Sequence, residues 1–447
     1  MTPVGGAVEP ADVIIIGAGS AGCVLADKLT RDGARSVLLL EQGPSFPDSD
    51  IRDVRRLPIG PGSAHVTTIP EASGQVVVRG RGLGGSSAVN GGYFMRWHTG
   101  DFDGWPSEWA LTEIEDAYRE LDDPDGTMSV DPAADGELGL AARDFERFFS
   151  SRVPVRDPQQ RWPIVGLNRV PGNLRNGLRM TAADAYLRVA FDRPNLAVRT
   201  GVRVDEVIVR RRRATGVRVG GEILTCGEVI VCAGTLGTAG LLLRSQLTEC
   251  GVDDRLQIGE HREVLVRYGR HVTGDLTPLL QTVVHTDDGI EIRCYSDDFE
   301  RYVGGGRGGR PAIGVCGMRP GGTGSVVASA GGHVEVVLES PGASEQARMW
   351  STAHDVVDML SSNEFRDLVT PGSIVTDPVI RTSQHAWGSL PMGSATDWLG
   401  GVHGVQGLRV VDGSILPGPG RSGPHATIMM MACRIGDVLA AGVADPR

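Results

Sequence analysis

The chain has 447 residues, 22% of them charged, and a formal net charge of −11. A chain this acidic repels a phosphate backbone, which excludes a general nucleic-acid binder and gives no reason to expect an anionic membrane partner. The seven cysteines are scattered without a C-x-x-C pair, so neither a disulfide framework nor a zinc site is supported and no metal is expected. No apolar run of about 18 residues is present, so no transmembrane segment is expected. Residues 1–10 lack the basic and apolar parts of a signal peptide. The expected location is the cytoplasm, with a peripheral place at a membrane as the alternative.

The first informative stretch is residues 11–43, ADVIIIGAGSAGCVLADKLTRDGARSVLLLEQG. Residues 13–16 form a β-branched apolar run that suits a strand buried on both faces. Gly17, Gly19 and Gly22 follow as G-x-G-x-x-G, then Ala21, Val24, Leu25 and Leu29 at helical spacing. A second apolar strand, residues 36–40, ends at Glu41. Strand, glycines, helix, strand and acid within about thirty residues make a βαβ dinucleotide-binding unit. Gly17 permits the tight turn, Gly19 lets backbone N–H groups reach a pyrophosphate, and Gly22 lets helix and strand lie close. The helix N-terminus favours the phosphates, and Glu41 is placed to accept hydrogen bonds from an adenosine ribose. The unit alone does not separate FAD from NAD.

Residues 43–56 read as a polar loop and residues 75–78 as a short strand. The second informative stretch is residues 79–94, RGRGLGGSSAVNGGYF. Its glycines allow close approach to a flat ligand, and Ser86, Ser87 and Asn90 offer donors; an ordinary glycine-rich loop entering a helix reads the same way. Phe102, Trp105 and Trp109 are read as core anchors. Residues 111–121 and 142–149 are expected helices, separated by an acidic solvated loop. Residues 170–187 read as a loop running into a helix, and residues 196–199, 204–210 and 215–219 as strands. The four arginines at 210–213 suit a solvated hairpin edge. Residues 228–233 are another buried strand, followed by a glycine and a helix, which suggests a return to the first sheet. Short alternating runs across residues 263–340 predict a separate antiparallel sheet with one face packed and one wet. Residues 304–309 read as a flexible glycine loop within it, and residues 353–360 as helical. In the tail, residues 408–411 are a strand closed by Asp412 and Gly413, and residues 426–441 a helix. His385 and His425 each lie near a glycine or proline turn; singly, such histidines more often fill structural roles.

Residues 17–41, 80–94 and the tail segments 385–393, 407–417 and His425 together resemble the glucose–methanol–choline (GMC) oxidoreductase family, over nearly the whole chain. The segment GTLGTAGLLLRSQL resembles a further family signature in part and departs from it at Ala239, Gln246 and Leu247. The resemblance implies an α/β fold (α+β overall), a Rossmann-like FAD-binding domain with an inserted antiparallel-sheet substrate domain. The first would comprise residues 1–105, 165–260 and 376–447, the second residues 106–164 and 261–375. It implies FAD contacts at Gly17, Gly19, Ser20, Gly22 and Glu41, at Arg81, Gly84, Gly85, Ser86, Asn90 and Gly91, at Val204 and Ala233, and at Asp412, Gly413, His425, Ala426 and Thr427. His385 corresponds to the family's catalytic histidine and His425 to its second active-site residue. Val89 stands where relatives with covalent flavin carry a histidine, so non-covalent FAD is expected.

The implied reaction is oxidation of an alcohol: hydride passes to flavin N5 while His385 takes the hydroxyl proton and His425 orients the oxygen. Ser389, Leu390 and Pro391, and the run Glu260, His261 and Arg262, depart from the family pattern and leave substrate and acceptor open. The LPIG-x-GS and VNGGYF segments look like those of compact actinobacterial dehydrogenases associated with mycofactocin. That implies a mycofactocinol-type carrier as substrate and an unidentified respiratory electron acceptor. The alternatives are an oxygen-using oxidase that makes hydrogen peroxide and a hydroxynitrile lyase that uses the same histidine. Trp97, Trp105 and Trp387 suit pocket walls and core packing equally.

Overall fold

The computed structural model describes residues 10–304, 309–320, 324–328 and 334–442. Residues 305–308 of the expected glycine loop lie outside the described residues. The βαβ unit forms as its spacing dictates: Ala11–Ile16 and Val37–Leu40 pair in parallel, with the helix Ser20–Thr30 between them. Leu196–Arg199 extends this sheet beyond Val37–Leu40, and Glu222–Val231 and Leu408–Val410 extend it on the other side, all in parallel. Strand residues 13–16 and 37–40 are all buried. Both faces are covered, which is why these runs are continuously apolar rather than alternating. The C-terminal helix His425–Ala440 packs against Ser20–Thr30, so every residue from Ala21 to Thr30 is buried. Even Lys28 is enclosed there; its ammonium bonds Glu120 at 2.5 Å and Asp437 at 2.7 Å.

Glu222–Val231 changes partner along its length. Its first part pairs antiparallel with Arg213–Val219, and its second part joins the parallel sheet. Arg213–Val219 in turn pairs with Glu206–Arg210, and Arg211 and Arg212 form the two-residue turn between them with φ of 51° and 61°. The arginine run is therefore a hairpin tip, as expected.

The second sheet is antiparallel. In order it contains Val375–Thr376, Arg262–Arg267, Ala312–Gly317, Ile290–Tyr295, Leu280–His285 and Gly166–Arg169. Three features differ from the sequence expectation. Gly324–Ala328 and Val334–Leu338 leave this sheet and pair with Arg255–Ile258 in a separate three-stranded one. Gly166–Arg169 and Arg381–Thr382, from stretches assigned to the first domain, hydrogen-bond into the second sheet. No face is wet. Val264, Val266, Ile290, Ile292, Ile313 and Val315 pack in one apolar cluster with residues of the helices Ala343–Leu360 and Leu140–Phe149. The opposite positions, among them Glu263, Glu291, Arg293 and His285, are buried as well. Tyr93, within the second glycine stretch, and His98, just after it, bond to them, so protein takes the place of solvent on the polar face.

Smaller differences are local. Residues 170–187 hold a short hairpin, Pro171–Arg175 with Leu178–Arg179, before the helical segment Ala183–Leu187. The strand expected at 75–78 is Val76–Gly80, paired with Val66–Pro70. The helix expected at 353–360 begins ten residues earlier, at Ala343. Trp97 and Trp105 belong to an aromatic cluster of tilted and edge-on rings with Phe102 and Trp109, which makes them core residues. All seven cysteines are free. Among the described residues no helix is long and apolar enough to cross a membrane.

Candidate active site

Two glycine turns meet above the parallel sheet. Gly17 has φ +100°, and a Cβ there would stand 2.5 Å from the Cys232 carbonyl oxygen. A Cβ at Gly22 would overlap the Gly17 carbonyl oxygen, so the start of Ser20–Thr30 rests directly on the ends of the strands. Gly19 is the N-cap of that helix and no side chain caps it, which leaves its first N–H groups for an anion. The second glycine stretch closes over this point: a Cβ at Gly85 would lie 2.7 Å from Gly19 Cα, and the Gly84 N–H bonds the Ala18 carbonyl at 2.8 Å.

Glu41 holds the two turns together. Its carboxylate accepts the N–H groups of Ala18 at 2.9 Å, Gly43 at 2.8 Å and Gly82 at 2.9 Å. The sequence reading assigned it to a ribose. Here most of its acceptor capacity serves the main chain, and of roughly four lone-pair positions one remains. Arg81 is exposed and reaches the Gln42 carbonyl at 3.2 Å, while Ser86 Oγ accepts the Gly80 N–H at 3.0 Å. Val204 is buried and Ala233 half-buried. Asp412 accepts from the N–H groups of Gly234 and Ser414 and from the Thr238 hydroxyl, which fixes the end of Leu408–Val410 to the helix Thr235–Arg244. Gly413 packs so closely there that a Cβ would lie 2.6 Å from Thr235 Oγ1. Ala426 is buried, and Thr427 Oγ1 meets the Tyr118 hydroxyl at 2.7 Å.

Amid this packing, Gly17, Gly19, Ser20, Ser86, Asn90, Gly91, Ala233, His385 and His425 stay at least partly accessible. They lie on the segments between the first glycine turn and the start of the C-terminal helix, which also lacks a side-chain cap. Two uncapped helix N-termini and a cradle too tight for side chains fit an elongated dinucleotide with a central pyrophosphate, such as FAD.

At the far end stand two histidines. Asn90 Oδ1 accepts the Gly92 N–H at 3.0 Å, which turns its amide nitrogen toward His425 Nδ1 at 3.2 Å. His425 Nδ1 is therefore the acceptor, and the ring proton sits on Nε2. That Nε2 is buried without a hydrogen-bond partner. Burial pushes the His425 pKa down to about 4. His385 donates its main-chain N–H to Glu260 at 2.7 Å, and its Nδ1 lies 3.2 Å from His261 Nδ1. Burial, and then the Arg293 charge, hold the His385 pKa well below its ordinary value. Gly423, just before the C-terminal helix, brings these groups together: a Cβ there would be 3.2 Å from Tyr93 Cε1 and 3.5 Å from His385 Cε1. Trp387, one of the suggested pocket walls, packs over His261 at 4.6 Å between ring centroids and against Gly259, where a Cβ would overlap its indole.

Sequence reasoning missed the polar face behind this point. Glu291 Oε1 accepts from the Tyr93 hydroxyl at 2.7 Å and lies 3.0 Å from His285 Nε2. His285 Nδ1 in turn is 2.8 Å from His98 Nε2. Arg293 Nε donates to Glu291 Oε2 at 2.6 Å, and its fork reaches Glu263 at 3.4 Å. Glu263 also accepts the Tyr295 hydroxyl at 2.7 Å. Burial opposes ionisation of Glu291, yet Arg293 and His285 hold its carboxyl well below the usual range. Glu263, farther from the guanidinium, is pushed up by burial. The signal was available in IEIRCYS, where Glu291 and Arg293 alternate with Ile290, Ile292 and Cys294; it was read as a solvated face.

The fold and its site define a dinucleotide-binding α/β protein with a histidine pair beside a second, antiparallel sheet. The chain belongs to the GMC oxidoreductase family: residues 11–260 match its N-terminal model and residues 342–432 its C-terminal model. Among curated relatives, an uncharacterized GMC-type oxidoreductase from the thcA 5' region of Rhodococcus erythropolis is 31% identical over 96% of this chain and 98% of its own. An oxygen-dependent choline dehydrogenase of Escherichia coli O139:H28 is 26% identical over 98% of this chain and 96% of its own. Among solved structures, pyridoxine 4-oxidase from Mesorbium loti superposes with a TM-score of 0.83 at 22% identity, covering 95% of this chain and 98% of that one.

Proposed function

We propose that the chain binds FAD non-covalently along the two glycine turns and the two uncapped helix starts and oxidises an alcohol at His385 and His425. Bound FAD supplies the hydride acceptor. The N–H groups at the start of Ser20–Thr30, with Gly19 and Gly85, would hold its pyrophosphate, and the free N–H groups at the start of His425–Ala440 would supply positive potential to its ring system. His385, kept neutral, takes the hydroxyl proton at Nε2, and His425 donates its Nε2–H to the same oxygen. A free alcohol loses its proton only far above neutral pH, so a base and a donor at one oxygen lower that cost.

The observation that carries this reading is the buried, unpartnered Nε2 of His425, fixed as a donor by Asn90 next to a second neutral histidine. Relatives named for choline and pyridoxine support a carbinol substrate. The compact-chain resemblance supports the narrower reading of a dehydrogenase that takes a mycofactocinol-type alcohol and passes electrons to a respiratory acceptor. The test is anaerobic titration of the FAD-loaded protein with choline, pyridoxine, benzyl alcohol and mycofactocinol, followed by admission of oxygen. Bleaching of the flavin band by mycofactocinol with slow recovery in oxygen supports the dehydrogenase; fast recovery with peroxide means an oxidase; turnover of a cyanohydrin without bleaching means a lyase. His385→Ala is expected to slow bleaching roughly 100-fold or more with FAD content unchanged, and an unaltered rate overturns the assignment. Acid precipitation should release the flavin into solution, since Val89 offers no attachment.

A further inference from the structure

The two histidines at the reacting end need opposite protonation patterns. Asn90 keeps His425 protonated at Nε2. What keeps His385 bare at Nε2 is a second question, because an isolated neutral imidazole carries its proton on either nitrogen.

The answer lies in His261, at the end of the strand Arg262–Arg267. Its ring is 1% exposed, stacks at 41° to Trp387, and stands edge-on to His385 at 5.4 Å between centroids. The two Nδ1 atoms meet at 3.2 Å. Two protonated nitrogens would repel at that distance, and so would two bare ones, so one proton lies between them. Both rings are neutral: burial pushes His261 down to about 3 and His385 well below its usual value. Each ring then carries one proton, which leaves two arrangements. In the first, His385 donates from Nδ1 to His261 Nδ1, and His261 keeps its own proton on Nε2. In the second, the pattern is reversed and His385 carries its proton at Nε2. His261 Nε2 is buried without a hydrogen-bond partner, so nothing beyond the Nδ1 pair fixes the proton of that ring. A base at His385 Nε2 requires the first arrangement, in which the shared proton belongs to His385 and His261 Nδ1 accepts it.

We propose that His261 is the positioning residue of His385: it accepts the His385 Nδ1 proton at its own Nδ1 and so presents His385 Nε2 to the substrate as an unprotonated base. The proposal rests on the reading of His385 as the base. It also gives a role to a segment, Glu260 to Arg262, that departs from the family pattern. Glu260 holds the His385 main chain and His261 holds its ring, so two neighbouring residues fix one histidine.

The test begins without turnover. The FAD-loaded full chain is labelled with nitrogen-15 at histidine, and two-bond proton–nitrogen correlations are recorded at neutral pH, with assignments from single histidine variants. The expected result is a pyridine-type Nε2 and a pyrrole-type Nδ1 for His385, and the reverse for His261. A protonated Nε2 on His385 overturns the proposal, whatever the variants do. His261→Phe keeps a ring against Trp387 and removes the acceptor. It should put His385 into tautomer exchange and slow flavin bleaching by choline, pyridoxine or benzyl alcohol roughly 10- to 100-fold. His261→Gln, which restores an acceptor oxygen, should recover part of the rate. An unchanged His385 spectrum in His261→Phe overturns the proposal. The expected spectra combined with wild-type bleaching in His385→Ala would uphold the pairing and overturn only the base reading.

Discussion

The two main sheets bury polar and apolar groups by opposite rules. In the parallel sheet the interior is apolar and the chemistry sits at its edge, where glycines let backbone meet backbone: Gly17 against Cys232, Gly22 against Gly17, Gly85 against Gly19. In the antiparallel sheet one interior face is ionic, with Glu263, Glu291, Arg293 and His285 all buried and bonded to one another or to residues brought from far along the chain. The first arrangement is steric and local. The second is electrostatic and assembled across sequence separations of 187 and 198 residues, from His98 to His285 and from Tyr93 to Glu291. The same enclosure is reached by removing side chains in one region and by pairing charges in the other.

The steric region should break hardest. Gly22→Ala places a methyl group into the Gly17 carbonyl, which is backbone and cannot swing aside. The turn and helix must separate, at a cost of more than about 3 kcal/mol. The expected product holds no flavin, as measured by the flavin-to-protein absorbance ratio, and unfolds at much lower urea.

The ionic region should break less, and in a way that reveals its pairing. Glu291→Gln keeps the shape but leaves Arg293 with the more distant Glu263. Removing one member of a buried pair costs about 3 kcal/mol. Glu291→Leu with Arg293→Met removes both charges and should cost less than the sum of the two single changes. Flavin content should survive in all of these, because none touches the glycine cradle. Urea unfolding of wild type, Glu291→Leu, Arg293→Met and the double variant completes the cycle.

This contrast also explains what could be read from the chain. The βαβ unit, the hairpin tip at Arg211 and Arg212 and the C-terminal helix rest on short-range patterns, and the structure has each of them. The bracing role of Glu41 was not legible, because its partners Ala18, Gly43 and Gly82 are main-chain groups that no side-chain pattern announces. The antiparallel runs were legible as strands, but not their partition into two sheets, since alternation marks a strand's faces and not its neighbour. The polar face looked wet because alternation with charge is what a solvated face shows. Only the fold reveals that Tyr93 and His98 cover it. His261 was visible merely as a departure, since nothing in its neighbours in sequence places it against His385, 124 residues away.

The finest test concerns protons. His98 is buried on the ionic face, and burial, then the neighbouring His285, pull its pKa from 6.5 to about 3. In the unfolded chain it titrates near 6.5. A folded value below the unfolded one means that the unfolded state binds the proton first as the pH falls. The neutral ring therefore contributes its full stability above about pH 6.5 and loses it progressively toward pH 3. The raised carboxylates Glu260 and Glu263 act in the opposite sense, so the wild-type curve alone mixes signs. A difference against His98→Gln isolates one group, because the amide keeps a hydrogen bond to His285 and does not titrate. At pH 7.5 the variant should be less stable by about 1 kcal/mol. Below pH 6.5 wild type should lose about 1.4 kcal/mol per pH unit relative to the variant. The two curves should then cross within about one pH unit, with the variant the more stable below. Parallel curves from urea unfolding at pH 7.5, 6 and 5 would mean that His98 titrates alike in both states, and that the ionic face is open to water after all.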